Sequence, residues 1–361
     1  MLKISDNVPF CLNSLEPVDT LLVCPTADSY SVGLESSLVS CMHRKSEHSV
    51  TVEQMAQTLL HSCLPDVKKQ LKVAANDWRR NDEGVHQLRI SLRRTLACLD
   101  LFSEQFSVAK ETRWLQKTLK ELLKSAGKAR DLDVLLAREM PEQGKAQAQL
   151  RKVWKRKRKD CQEPLRQSFE TLVREEKLQT KTRALLKSMS AKKREAFSEA
   201  APDPASWTAQ QLHDRVDLLL KKLPEGSQLK GMHSFRISAK QLRYVAELLQ
   251  EFHADKTTKH LLRSLADVQK KFGRLQDEAV AAKSVERLSS KLSRKQGKSL
   301  QNMSASARVT AKSKAVELNA WLNEKIVPEL NRIMQALEQS VRPVRKPVKA
   351  RSSVKRTRAA T

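Results

Sequence analysis

The chain has 361 residues, 40% of them hydrophobic, and a formal net charge of +27. That hydrophobic share excludes wholesale disorder, and 8 Gly with 12 Pro count against an architecture of strands and turns. Aromatic residues at 4% argue against a binder that stacks single-stranded bases on rings, and no apolar run reaches the length of a membrane span. Leu, Lys, Arg, Ala, Glu and Gln dominate instead, which predicts an all-α fold. A charge excess of this size strains a compact fold by self-repulsion, so it points to a polyanionic partner. Nucleic acid, an anionic membrane surface and polyphosphate all remain open on charge alone.

Residues 1–49 form an acidic leader, with Lys3, Arg44 and Lys45 against Asp6, Glu16, Asp19, Asp28, Glu35 and Glu47. It lacks periodicity and reads as irregular. Met42 and Met55 lie close to where the helical pattern begins, which leaves a later start codon open. The stretch before Cys24 has Glu16, Asp19 and a bulky Val23 where an export signal needs apolar and small residues. The 6 cysteines show no close pairing, so neither a zinc knuckle nor a disulfide framework can be drawn, and a reducing cytoplasm is the natural setting.

Helical text starts at Thr51, where Gln54 completes a capping box, and Gly84 is expected to end the first connection. Helices are then predicted over 85–105, 108–126, 130–140 and 144–175. Pro202 and Pro204 mark an internal break. Thr208 with Gln211 offers a second capping box opening a helix to residue 222, followed by helices over 231–253, 256–275, 277–295 and 305–338. The helical region thus spans 51–335, as two bundles over about 51–200 and 205–335. The tail, 342–361, holds eight basic residues and no acidic one, and reads as a disordered cationic arm, either solubilising or tethering.

An internal duplication carries the functional argument. His86, Arg89, Ile90, Arg93 and Arg94 open one predicted helix; His233, Arg236, Ile237, Lys240, Arg243 and Tyr244 open another. Gly127 lies 41 residues after His86, and Gly273 lies 40 after His233. On a helical wheel His86, Arg89 and Arg93 share one face, opposite Leu88, Leu92, Leu99 and Phe102; His233, Arg236, Lys240 and Arg243 likewise oppose Phe235, Ala239, Leu242, Ala246 and Leu249. A second stripe precedes each glycine: Arg113, Lys117, Lys120 and Lys124 in the first half, Lys259, Arg263 and Lys270 in the second. Taken singly, each stripe is ordinarily a solvated helix face. Like charges at these spacings cost a few tenths of a kcal/mol each, so a repeated run needs a reason. Packing of the halves about a pseudo-twofold axis would bring the stripes into one long basic groove.

These residues resemble the CHAD family, the conserved histidine α-helical domain. His86 to Arg94 and Gly127 to Asp133 match its first pair of motifs; His233 to Tyr244 and Gly273 to Asp277 match its second. The resemblance spans about 51–335, with Ala126 and Phe272 standing where leucine is usual and Gln276 where a polar or basic residue is expected. It implies two pseudo-symmetric antiparallel helical bundles around a basic central groove. It also implies that the domain binds inorganic polyphosphate without catalysis or a cofactor, in the cytoplasm and at polyphosphate granules. The candidate ligand-binding residues are His86, Arg89, Arg93, Arg94, Lys117, Lys120, Lys124 and Arg130, then His233, Arg236, Lys240, Arg243, Arg263 and Lys270. Arginines offer planar donor forks to phosphate oxygens, lysines act as mobile point charges, and a nearby polyanion favours the protonated form of each histidine. Asp131, Asp133 and Asp277 read as structural groups that cap helices or orient cations rather than as metal ligands. The alternatives are a nucleic-acid-associated protein touching phosphate backbones, and, with little support, a polyphosphate hydrolase or kinase.

Overall fold

The computed structural model describes residues 50–79, 83–106, 109–137, 145–192, 203–226, 228–289 and 294–341. The acidic leader and the basic tail lie outside the described residues, as does the expected break at Pro202. Among the described residues there are α-helices and π turns and no strand. None of the helices is long and apolar enough to cross a membrane.

The first half runs α1 (Val52–Asn76), α2 (Glu83–Leu101), α3 (Ala109–Ala137), α4 (Lys145–Asp160), α5 (Gln162–Phe169), a π turn at Glu170–Arg174, and α6 (Lys177–Lys192). The second runs α7 (Pro204–Leu220), α8 (Leu229–Gln250), α9 (Lys256–Ser289), α10 (Arg294–Trp321), a π turn at Leu322–Ile326, and α11 (Val327–Val341). Packing follows one order in both halves. The first four helices of each pack consecutively, and the helix after the π turn returns onto the first and third. The apolar stripes read from the sequence form the core: Leu88, Leu92 and Leu99 of α2, Phe102 just past its end, and Phe235, Ala239, Ala246 and Leu249 of α8 are wholly buried. Cys63 and Cys98 sit in the same core as free thiols, and burial pushes the Cys63 thiol up to about 11, which makes it an inert apolar group.

The halves meet where α2 packs on α8. Arg94 Nη2 of α2 lies 3.0 Å from Glu251 Oε1, just past the end of α8. Burial pushes the Glu251 carboxyl upward and the Arg94 guanidinium pulls it back. Beyond Arg94, Asp100 meets Arg215 of α7 at 3.9 Å, and Phe102 stacks on Trp207 with ring centroids 5.2 Å apart. These contacts all fall in the C-terminal part of α2.

Local chemistry explains the element ends. Thr51 and Gln54 make the expected reciprocal capping box, with bonds of 2.8 and 3.3 Å. Gly84 does not end a connection but lies in the first turn of α2, where α1 approaches closely: a Cβ there would meet Val73 Cγ1 at 2.9 Å. The expected capping box at Thr208 is absent. Asp203 caps α7 instead, accepting from the Ser206 amide at 3.0 Å with Pro204 as the first helical residue, and Thr208 is buried inside the helix. The helix breaks predicted at 127–129 and at 276 do not occur: α3 runs on through Gly127, and α9 runs on past Gly273. Both glycines are buried, and the roughly 1 kcal/mol propensity cost of a helical glycine is small beside the packing of a long helix. Conversely, the helix predicted over 144–175 is interrupted at Cys161, since Pro164 in the first turn of α5 has no amide with which to continue α4. The helix predicted over 305–338 is interrupted by the second π turn, with Pro328 just beyond it.

One buried polar network fixes α4. The Arg158 guanidinium is 3% exposed and packs over the Trp78 ring at 4.9 Å. Its Nε donates to Asp133 Oδ1 of α3 at 2.5 Å and its Nη1 to Gln162 Oε1 at 3.2 Å. Gln162 Nε2 in turn donates to the carbonyls of Ala74 and Ala75 at the end of α1, both at 2.8 Å. Four helices are thereby joined through one guanidinium.

Two substitutions test this account. Arg158→Met should destabilise by about 3–5 kcal/mol, because it removes the guanidinium paired with the partly buried Asp133 carboxylate, and adding Asp133→Leu should recover part of that loss in urea unfolding. Gly84→Ala and Val73→Ala should couple by about 1–2 kcal/mol in a double-mutant cycle, since the smaller Val73 replacement makes room for the new Cβ.

Candidate functional site

The two histidine-bearing helices place their cations differently from a pair of solvated stripes. On α2, Arg89 is buried at 5% exposure, while His86 and Arg93 are partly buried beside it. On α8, Arg236 is 1% exposed and Lys240 6%, with His233 and Arg243 partly buried. The wheel correctly separates cations from the apolar stripe, but other helices then cover much of the cationic side as well.

In the first half, packing of α3 along α2 carries Arg130 back to the start of α2. Arg130 Nη2 approaches Glu83 Oε2 at 3.9 Å, and His86 Nε2 approaches Glu83 Oε1 at 3.7 Å. A single, half-exposed carboxylate therefore faces both the Arg130 guanidinium and the His86 imidazole. The Arg130 side chain is almost completely enclosed, and its Nε and Nη2 have no hydrogen-bond acceptor among the described residues. Such donors are costly to bury.

In the second half, Arg243 is held in place by two bonds. Its Nε donates to Glu247 Oε1 at 2.7 Å and its Nη1 to Gln269 Oε1 of α9 at 2.8 Å. Phe272, standing before Gly273, packs against Phe235 with centroids 5.4 Å apart, so the residue that departs from the family motif there fills the α8–α9 core. The side chains of Gln276 and Asp277 lie outside the described residues.

The remaining candidates fall into two other places. Lys117, Lys120 and Lys124 are exposed on the outside of α3, opposite the buried Leu115, Leu119 and Leu122, and Arg130 lies on the inner side. Arg263 and Lys270 are likewise exposed on α9, whose inner side holds Leu261, Leu265, Val268 and Phe272. The structure thus separates an inner group (Arg89, Arg130, Arg236, Lys240) from outer stripes. Arg94 belongs to neither, since its guanidinium is committed to Glu251 across the junction of the halves.

Asp133 has a structural task, as its sequence suggested, but its partner is Arg158 rather than Arg130. Sequence reasoning missed Arg158 because it stands in a run of similar cations, 155–159, and nothing local distinguishes it. Among the described residues there is no cluster of three or more His, Cys, Asp or Glu able to bind a metal.

Comparisons with known proteins agree with this architecture. Residues 64–286 match the family model for the CHAD domain. Among solved structures, the crystal structure of the CHAD domain from the plant Ricinus communis superposes with a TM-score of 0.51, at 22% identity, over 81% of this chain and 93% of that one. At that identity the likeness shows the fold. No curated protein matches the sequence. With the family model covering both signature helices and more than half of the chain, the protein belongs to the CHAD domain family.

Proposed function

We propose that this chain binds inorganic polyphosphate without catalysis, using the cations of α2, α3 and α8, and that it associates with polyphosphate granules in the cytoplasm. The observation that carries the reading is the burial of Arg89, Arg130, Arg236 and Lys240, each 6% exposed or less, in a protein of net charge +27. Enclosing a cation costs several kcal/mol, and apolar side chains of similar volume usually serve stability as well or better. Four enclosed cations on the signature helices are thus expensive for a merely structural role, and a ligand of opposite charge offsets the expense.

Polyphosphate suits such a site because it has neither bases nor sugars to be read. Recognition then rests on charge and on hydrogen-bond donors. His86, Arg93, His233 and Arg243 are partly exposed and able to meet phosphate oxygens directly. The inner cations need no direct contact. At an effective dielectric constant of about 20, a unit charge about 8 Å away is attracted by about 2 kcal/mol. The exposed lysines of α3 and the cations of α9 add long-range attraction, which speeds encounter and weakens with salt. Polyphosphate is also the ligand implied by the family resemblance.

A triple variant tests the reading without opening cavities: Arg89→Met, Arg236→Met and Lys240→Met. It should keep its helicity by circular dichroism, and its denaturant unfolding gives the stability lost with the buried partners of these cations. Its affinity for long-chain polyphosphate should fall by at least about tenfold, or 1.4 kcal/mol. Wild-type affinity in the folded variant would make the buried cations structural and overturn the proposal. If polyphosphate fails to displace duplex DNA from the wild type, a nucleic-acid function replaces it; release of orthophosphate would make the protein an enzyme. Binding by the wild type should also tighten from about pH 8 to about pH 6 as the histidines gain charge beside the polyanion, and His86→Gln with His233→Gln should flatten that profile.

A further inference from the structure

Helix α4 has a charged face that the site above does not use. Its 16 residues include eight cations and a single acid, Asp160. Two of its residues point inward: Trp154 and Arg158 are both 3% exposed, and Arg158 is bonded to Asp133 of α3. Arg151 adds a hydrogen bond to the Leu136 carbonyl at 2.9 Å. The opposite face carries Lys152, Lys155, Arg156 and Lys159, all exposed. They recur at steps of three, four and seven residues, so they form one stripe along the helix.

The helix dipole accounts for only part of this. Cations in the last turn are favoured by the negative helix end, which covers Lys157 and Lys159. Lys152, Lys155 and Arg156 stand earlier, where mutual repulsion has no such offset. Among the described residues, no carboxylate pairs with any of the four. The stripe is also close to the inner cations. Asp133, which holds the inner side of α4, is three residues beyond Arg130 on α3, so the outer face of α4 lies about one helix diameter, about 10 Å, from the turn that bears Arg130.

We propose that this face of α4 is a second track for the same polyanion. It is reached only by chains long enough to extend past Arg130, so that polyphosphate length sets affinity. The inference rests on the reading of α2, α3 and α8 as a polyphosphate site. A chain held at the first site presents its next phosphates to α4 at a high effective concentration, and the second contact then needs little affinity of its own. Three lysines and one arginine suit an unbranched phosphate chain, which requires charge rather than bidentate reading of one group.

The experiment compares tripolyphosphate with long-chain polyphosphate on the full chain carrying Lys152→Gln, Lys155→Gln, Arg156→Gln and Lys159→Gln. Glutamine is a good helix former, and circular dichroism checks that helicity is kept. A control variant loses the same charge elsewhere, through Lys221→Gln, Lys222→Gln, Lys312→Gln and Lys325→Gln, all exposed in the second half. The expected result is unchanged tripolyphosphate affinity, with long-chain affinity about tenfold or more lower and a shallower salt dependence in the α4 variant alone. Equal long-chain affinity in variant and wild type would overturn the proposal. So would equal loss for both ligands or in both variants, which would indicate only the overall field of the protein. Loss of duplex DNA binding with polyphosphate binding intact would assign the face to nucleic acid instead and overturn it too. A wild type that binds neither polyphosphate refutes the first site, a result distinct from failure of the α4 stripe.

Discussion

Two helices rich in cations, α2 and α8, pack against each other where the two halves of the molecule meet. Each of the two buries an apolar stripe in its own half, so each is wrapped on several sides. A helix in that position cannot turn every charged side chain to water. Arg89, Arg236 and Lys240 are enclosed as a consequence. The junction tolerates charge by pairing it: Arg94 meets Glu251, and Asp100 meets Arg215. Phe102 on Trp207 supplies an apolar contact in the same region. All of this lies toward the C-terminal part of α2. His86 stands eight residues earlier than Arg94, about 12 Å along the axis at 1.5 Å per residue, and is left to the site.

The outer helices serve the same end at one remove. α3 brings Arg130 to Glu83, and α4 holds α3 through the Arg158–Asp133 pair. That pair is itself braced by Trp78 and by Gln162, whose amide reaches two carbonyls at the end of α1. A buried ion pair is a weak source of stability but a strict one of geometry, since removing either partner leaves the other uncompensated. The inner side of α4 is therefore rigidly placed, and its outer side presents charge at a fixed position relative to the first cluster.

Charge in this protein is layered rather than spread. Enclosed cations on α2, α3 and α8 sit where the local dielectric constant is low and their field is strong. Partly exposed histidines and arginines surround them, and exposed lysines on α3, α4 and α9 face water, where salt screens them. Under the polyphosphate reading proposed above, such layering would separate capture from retention, the outer charges setting how fast the polyanion arrives and the inner ones how tightly it stays.

The all-helical fold, the cap at Thr51 and the division of α2 and α8 into apolar and cationic sides are all readable along the chain. These depend on local spacing at 3.6 residues per turn and on local hydrogen bonds, which are legible in one dimension. Several other features were decided only by the tertiary structure. Gly127 reads as a break yet lies inside the long helix α3, because packing outweighs a propensity penalty of about 1 kcal/mol. Thr208 reads as a cap yet is buried, because Asp203 and Pro204 begin the helix a turn earlier. Arg158 reads as one member of a solvated run yet is buried, at 3% exposure. Periodicity states which residues share a face, but not what that face abuts. Whether a cation meets water, a carboxylate or the underside of a neighbouring helix depends on contacts between residues far apart in the chain, such as Gln162 with Ala74 and Arg94 with Glu251.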